Sequence, residues 1–239
     1  MASLTETPLI ETNGLTLHFG GLKAVDGVDF RLHAGEIHAL IGPNGAGKTT
    51  FVSLLSGRRL PQAGTIALGK EDITRLPAHE RVRKGIAYTF QITSVFPRLT
   101  VFDNVALAVQ SLGPRDLAAR TRAALARVGL EGLEAQEAQT LSYGHQRLLE
   151  LAMGLALNPR LLILDEPTQG LAASEIDDFK TLVRSLVPAT TVLLIEHNMD
   201  VVMDLATRIT VLTFGRVLAT GTPAEIRANA SVQEAYLGA

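Results

Sequence analysis

The chain has 239 residues, 46% of them hydrophobic, with a formal net charge of −2 and a mean hydropathy of +0.21. The absence of cysteine excludes disulfides and thiolate metal sites, and a pI near 6.3 gives no basis for nucleic-acid binding. No apolar run reaches the 18 or more residues needed to span a bilayer, and residues 1–8 lack the basic and apolar segments of a signal peptide. The expected location is therefore cytoplasmic, with any membrane role coming through partners.

Taken in chain order, residues 15–19, 25–32, 37–41, 64–69 and 86–90 read as strands punctuated by glycine turns. After Gln91 the pattern becomes helical. Residues 99–105 form a helix start with Thr100 as N-cap and Asp103 three residues on, and 115–128 and 142–157 continue as amphipathic helices. Beyond Asn158-Pro159, strands at 161–164, 191–195 and 209–214 alternate with helices at 175–186 and 199–206. That alternation predicts a parallel sheet covered by helices. The domain division expected is one unit over 1–239, in which 8–91 and 158–239 form an α/β core with a β subdomain and 92–157 a helical insertion.

Gly42-Pro43-Asn44-Gly45-Ala46-Gly47-Lys48-Thr49 matches the G-x-x-x-x-G-K-[ST] phosphate loop, between an apolar strand and the helix-forming Thr50-Phe51-Val52. The glycines let the backbone aim successive N–H groups at phosphate oxygens, and the helix from Lys48 adds the positive end of its dipole. Lys48 is placed to reach the β- and γ-phosphates, and the Thr49 hydroxyl to bind Mg²⁺. The run Leu161-Leu162-Ile163-Leu164-Asp165-Glu166 has the form of a Walker B strand. Asp165 is the candidate Mg²⁺ ligand, and Glu166 the candidate base for the water attacking the γ-phosphate.

Leu141-Ser142-Tyr143-Gly144-His145-Gln146 resembles the signature L-S-G-G-Q of ABC-type ATPases, and further marks fall in that family's order. The resemblance implies a P-loop NTPase: a RecA-like mixed sheet with flanking helices, an N-terminal antiparallel β subdomain and an inserted α-helical subdomain. It implies that Phe19 stacks on the adenine of ATP, that Gln91 is the hinge glutamine contacting Mg²⁺ or the attacking water, and that His197 is the switch histidine. It also implies that Ser142 and Gly144 reach the γ-phosphate held by a second ATPase subunit, identical or homologous, in a head-to-tail dimer around two ATP. Tyr143 and His145 depart from the family pattern.

The strings Phe19-Gly20-Gly21-Leu22-Lys23, Ile195-Glu196-His197-Asn198-Met199 and Gly221-Thr222-Pro223-Ala224-Glu225 are similar to those of branched-chain amino-acid importer ATPases. The implied role is a peripheral subunit on the cytoplasmic face of the membrane. It would drive permease subunits fed by a periplasmic or extracellular solute-binding protein, with Ile92, Val95, Phe96 and Leu99 as candidates either to line the groove for a coupling helix or to pack in the core. Urea, amide and aromatic-acid importers, lipopolysaccharide export and a soluble non-transport ATPase are the alternatives. The other histidines, at 18, 33, 38 and 79, lack metal-ligand spacing and are read as structural or solvated.

Overall fold

A computed structural model describes residues 7–89, 94–111, 113 and 116–237. Its strands are β1 (Ile10–Phe19), β2 (Leu22–Leu32), β3 (Ile37–Ile41), β4 (Ala63–Leu68), β5 (Glu71–Asp72), β6 (Ile86–Thr89), β7 (Leu161–Asp165), β8 (Thr191–Ile195), β9 (Arg208–Thr213) and β10 (Arg216–Gly221). The helices are α1 (Lys48–Leu55), α2 (Ala78–Arg83), α3 (Val101–Gln110), α4 (Leu117–Arg127), α5 (Tyr143–Ala156), α6 (Ala173–Leu186), α7 (Met199–Leu205), α8 (Pro223–Ala228) and α9 (Ala230–Leu237). Two sheets result. An antiparallel sheet has the order β2-β1-β4-β5, and a six-stranded sheet has the order β10-β9-β3-β8-β7-β6. In the second, β9, β3, β8, β7 and β6 are parallel and β10 is antiparallel at the edge. This is the mixed α/β architecture expected.

The continuous apolar runs are explained by burial on both faces. Leu162 and Leu164 of β7, with Val192 and Leu194 of β8, pack toward α3, α4, α5 and α6, through Val105, Leu125, Leu149 and Phe179. Ile163, Leu193 and Ile195 point the other way, onto Phe51 and Leu55 of α1 and the antiparallel sheet at Ile10, Val25 and Phe30. A third cluster joins Ala39 and Ile41 to Val202, Ile209 and Ile226 beneath α7 and α8. The parallel strands are thus covered on both sides, and their C-terminal ends open onto one edge.

Several element bounds differ from expectation. β1 begins at Ile10 rather than residue 15, because Asn13-Gly14 is not a turn but an irregularity inside a strand. Gly14 takes φ 57° there, and its N–H donates to Asp29 Oδ1 at 2.6 Å. β2 likewise starts at Leu22, and α6 starts at Ala173, where the Glu175 carboxylate turns back to accept the Ala172 N–H at 2.8 Å. β10 and α2 were not anticipated. α2 is anchored by Arg81, fully buried, whose guanidinium donates to the carbonyls of Leu54 and Leu55 at 2.6 and 2.9 Å and so terminates α1. Phe90, Gln91, Ile92 and Arg115, each part of an expected element or site, lie outside the described residues.

Candidate functional site

β3 runs into loop 42–47, and α1 begins at Lys48 with Gly47, which has no side chain to cap it, as its N-cap. The opening N–H groups of α1 therefore face a ligand position rather than a capping oxygen. Two glycines are imposed by crowding as well as by backbone angle. A Cβ at Gly42 would lie 2.2 Å from the carbonyl oxygen of Leu212, and one at Gly47 would lie 2.0 Å from that of Ala24. Strands β9 and β2 thus hold the loop from outside. Gly215, in the β9–β10 turn, adds an N–H to the Ala46 carbonyl at 3.0 Å.

Lys48 is buried, and its Nζ donates to the carbonyls of Gly42 at 2.7 Å and Pro43 at 3.1 Å. Burial lowers its pKa below that of a free lysine, while the nearby charges of Glu166 and Asp165 act in the opposite direction. Asn44, Gly45 and Thr49 are exposed, Pro43, Gly47 and Thr50 are half-buried, and Ala46 is buried.

The ends of β7 and β8 lie side by side, with Asp165 in register with Ile195. Asp165 is 3% exposed and accepts the Tyr88 hydroxyl at 2.6 Å. Burial raises its pKa above the ordinary carboxylate value and Glu166 adds to the rise, whereas Tyr88, Arg58 and Lys48 oppose it. The Arg58 guanidinium sits 5.0 Å from the Tyr88 ring centroid. Glu166 adopts the left-handed region at φ 50°, a conformation that a non-glycine residue keeps only when its surroundings enforce it. Enforcement comes from its N–H, which donates to the Ile195 carbonyl at 2.8 Å. The turn aims the side chain across to β8's loop, where Glu166 Oε1 lies 2.5 Å from His197 Nε2.

A cleft of about 340 Å³ gathers Phe19, Asn44 to Thr50, Glu166 and His197, with Leu22 and Ala24 at its rim. Phe19 is 41% exposed, and the Arg59 guanidinium lies 5.0 Å from its ring centroid. The hydroxyl of Thr49 and the carboxylate of Asp165 are hard oxygen donors of the kind Mg²⁺ takes alongside phosphate and water. Among the described residues no cluster of three His, Cys, Asp or Glu is placed to hold a metal alone.

Ser142 and Gly144 are not in this cleft. Ser142 caps α5, its Oγ accepting the His145 N–H at 3.2 Å, and it is exposed together with Tyr143 and His145. Gly144 is buried against α6, where a Cβ would meet Glu175 Oε1 at 2.2 Å. Tyr143 lies over Gly170, and its hydroxyl accepts from Arg147 Nε at 3.2 Å. The histidine read as structural at position 38 is fully buried, with Nε2 2.8 Å from Thr210 Oγ1.

Sequence reasoning missed Tyr88 and Glu196. Tyr88 comes from β6, and its partner lies 77 residues away. Glu196 had a local signal: an acid at the end of β8, next to His197, mirroring Glu166 at the end of β7. Its carboxylate joins the two loops that carry Glu166 and His197.

Comparison with known proteins gives concordant matches. The family profile described as ABC transporter matches residues 25–169, and one described as Branched-chain amino acid ATP-binding cassette transporter matches residues 216–239. The chain is similar to the high-affinity branched-chain amino acid transport ATP-binding proteins BraF of Pseudomonas aeruginosa (42% identical) and LivG of Escherichia coli (40%). Each match covers 97% of this chain and 98% of the relative. The lipopolysaccharide export system ATP-binding protein LptB of Escherichia coli is 34% identical over the whole chain and 98% of its own length. Among solved structures, a nucleotide-free ATP-binding cassette from an ABC transporter superposes with a TM-score of 0.89 at 27% identity, covering 97% of this chain and all of that one.

Proposed function

The chain belongs to the ABC transporter family as its ATP-binding ATPase component, and from that premise we propose a transport cycle, a set of catalytic residues and a cargo. The observation that carries the proposal is the Glu166–His197 pair set over the Lys48 loop in one cleft. ATP seats its phosphates on the N–H groups of Gly45 to Thr49, with Lys48 turned from its own carbonyls toward the β- and γ-phosphates and the base against Phe19. Thr49 and Asp165, with Gln91, would hold Mg²⁺, which when bound spreads and neutralises phosphate charge. Glu166 accepts the proton of the attacking water. His197 orients the Glu166 carboxylate and donates toward the γ-phosphate.

Ser142 and Gly144 complete the site of a second copy or homologue, in a C₂ head-to-tail dimer around two ATP. The exposed position of Ser142 at the α5 N-terminus, away from this chain's own cleft, supports that reading. Closure on ATP and reopening after hydrolysis would pass through the helical segment 92–157 to permease subunits at the cytoplasmic face of the membrane. No helix among the described residues is long and apolar enough to cross a membrane, so the membrane path belongs to partners. Phe96 is 52% exposed with Val95 partly buried beneath it, and Asn104 pins that loop by accepting the Phe96 N–H at 2.7 Å. This surface suits an inserted coupling helix.

The cargo proposed is branched-chain or related amino acids. The profile match at 216–239 and the greater similarity to BraF than to LptB support import of this class. The test is reconstitution in proteoliposomes of the complex co-purified from native membranes. Leucine presented with its solute-binding protein should raise ATP turnover. Turnover indifferent to leucine, isoleucine and valine would overturn the cargo, and a chain recovered without permease subunits would overturn the transport role.

A further inference from the structure

The Glu166–His197 pair stands on two separate loops, which the Glu166 N–H joins at the strand ends by donating to the Ile195 carbonyl at 2.8 Å; a side chain must tie them beyond that point. Glu196 does so. Its side chain is buried at 4% exposure and its two oxygens face different loops. Oε1 accepts the Thr168 N–H at 2.9 Å and the Thr168 hydroxyl at 2.6 Å. Oε2 accepts the N–H of His197 at 3.0 Å and that of Asn198 at 3.3 Å. One carboxylate therefore satisfies three backbone N–H groups and a hydroxyl at the point where β7 and β8 end. The two donors of Thr168 are buried, so withdrawing the carboxylate leaves them without a partner.

We propose that Glu196 is a positioning residue for hydrolysis. It clamps the loop after β7 to the loop after β8, so that Glu166 and His197 move as one unit. The geometry is specific to that task. Thr168 follows Glu166 by two residues, and Gln169 closes the turn with an N–H to the Glu166 carbonyl at 3.2 Å. The left-handed backbone of Glu166 is thereby held on one side by β8 and on the other by the Thr168–Glu196 bonds. On the His197 side the clamp grips the backbone itself, leaving the imidazole to Glu166. A carboxylate is required because all four partners are donors; an amide at this position would turn an NH₂ group toward N–H or O–H groups.

The inference rests on the roles given to Glu166 and His197, and the experiment separates the two. Steady-state ATPase kinetics, nucleotide binding and thermal unfolding would be measured for E196Q, T168V, T168S, H197A, E166Q and the E196Q/H197A double variant. For E196Q the expected result is a kcat loss of about ten- to hundredfold, the scale of a misplacement near 1 Å, with KM for ATP within about twofold. T168V should lose several-fold and T168S should recover it, since serine restores the hydroxyl while leaving the backbone bond in place. In the H197A background E196Q should cost a clearly smaller factor, because only the hold on Glu166 is then left to lose.

The clamp would be overturned by E196Q or T168V retaining wild-type kcat, or by E196Q costing the same factor with and without His197. If T168V loses activity but T168S does not restore it, the hydroxyl bond is not what acts and the clamp likewise fails. Wild-type turnover in E166Q and H197A would instead overturn the catalytic reading beneath it. Should E196Q fold poorly, the T168V and T168S pair decides alone.

Discussion

The phosphate loop and the signature segment are both helix N-termini built to meet anions, yet the chain treats them oppositely. The loop at 42–47 is caged by its own fold. β9 and β2 approach so closely that Gly42 and Gly47 admit no Cβ, and Lys48 and Asp165 are buried beneath it. At the start of α5, Ser142, Tyr143 and His145 stand exposed, and only Gly144 is sunk against Glu175. The first geometry is complete within one chain and reads as a place to hold a ligand. The second is anchored from behind and presented outward, as the proposed role toward a second subunit requires.

The sharpest way to test that contrast is to remove chemistry from the caged side without touching binding. E166Q should lower ATP turnover by about 10²- to 10³-fold, the scale of a lost general base, while nucleotide affinity stays within a few-fold in a filter or fluorescence binding assay. A variant keeping more than a tenth of wild-type turnover would take the base role from Glu166. The opposite operation is S142R. It should leave nucleotide affinity of the isolated chain unchanged and abolish ATP-dependent association in sedimentation of the E166Q background. If S142R weakened binding by the monomer, the two regions would not be separable in the way proposed.

A smaller effect is expected where the regions touch. Gly170, in the loop after β7, has φ 82°, and a Cβ there would lie 2.8 Å from Cε1 of Tyr143. The Tyr143 ring, one of the departures from the signature pattern, fills space over a glycine in the loop after β7, braced by Arg147, which pairs with Glu150 at 3.2 Å in a buried position. G170A should destabilise by about 1–3 kcal/mol through overpacking and backbone strain. Y143A should relieve the overpacking part, so chemical denaturation of G170A, Y143A and the double variant should be non-additive. Simple additivity would mean that the ring and the glycine are independent.

Legibility in the sequence follows the same division. The phosphate loop and the β7 end are contiguous strings, so the spacing of the first, paired with the acidic end of the second, pointed to Lys48, Thr49, Asp165 and Glu166 as candidates. The central strands were legible because burial on both faces leaves an unbroken apolar run, as in Leu161 to Leu164. What escaped was long-range pairing. Arg81 closes α1 from 26 residues away, and Tyr88 reaches Asp165 across β6 and β7. Neither residue is unusual in its local string. The start of β1 escaped for a related reason: residues 10–14 carry the glycine of an Asn13-Gly14 dipeptide, and it is pairing on both sides, with β2 and β4, that makes them strand.

The least drastic change bears on the caged side's electrostatics. The Tyr88 hydroxyl donates to Asp165 and so favours its charged form against burial, which acts to raise its pKa. The Tyr88 hydroxyl is itself held above the ordinary phenol value by burial and by that same bond, so it remains a donor throughout the working range. Y88F removes the bond and keeps the ring under Arg58. The Asp165 pKa should rise further, and a higher pH is then needed to ionise it. The acid limb of the ATPase pH profile should therefore move upward, with the alkaline limb fixed and the rate near the plateau little altered. A profile that superposes on wild type would show that Asp165's protonation does not set the acid limb, and a shift to lower pH would reverse the sign of the coupling between β6 and β7.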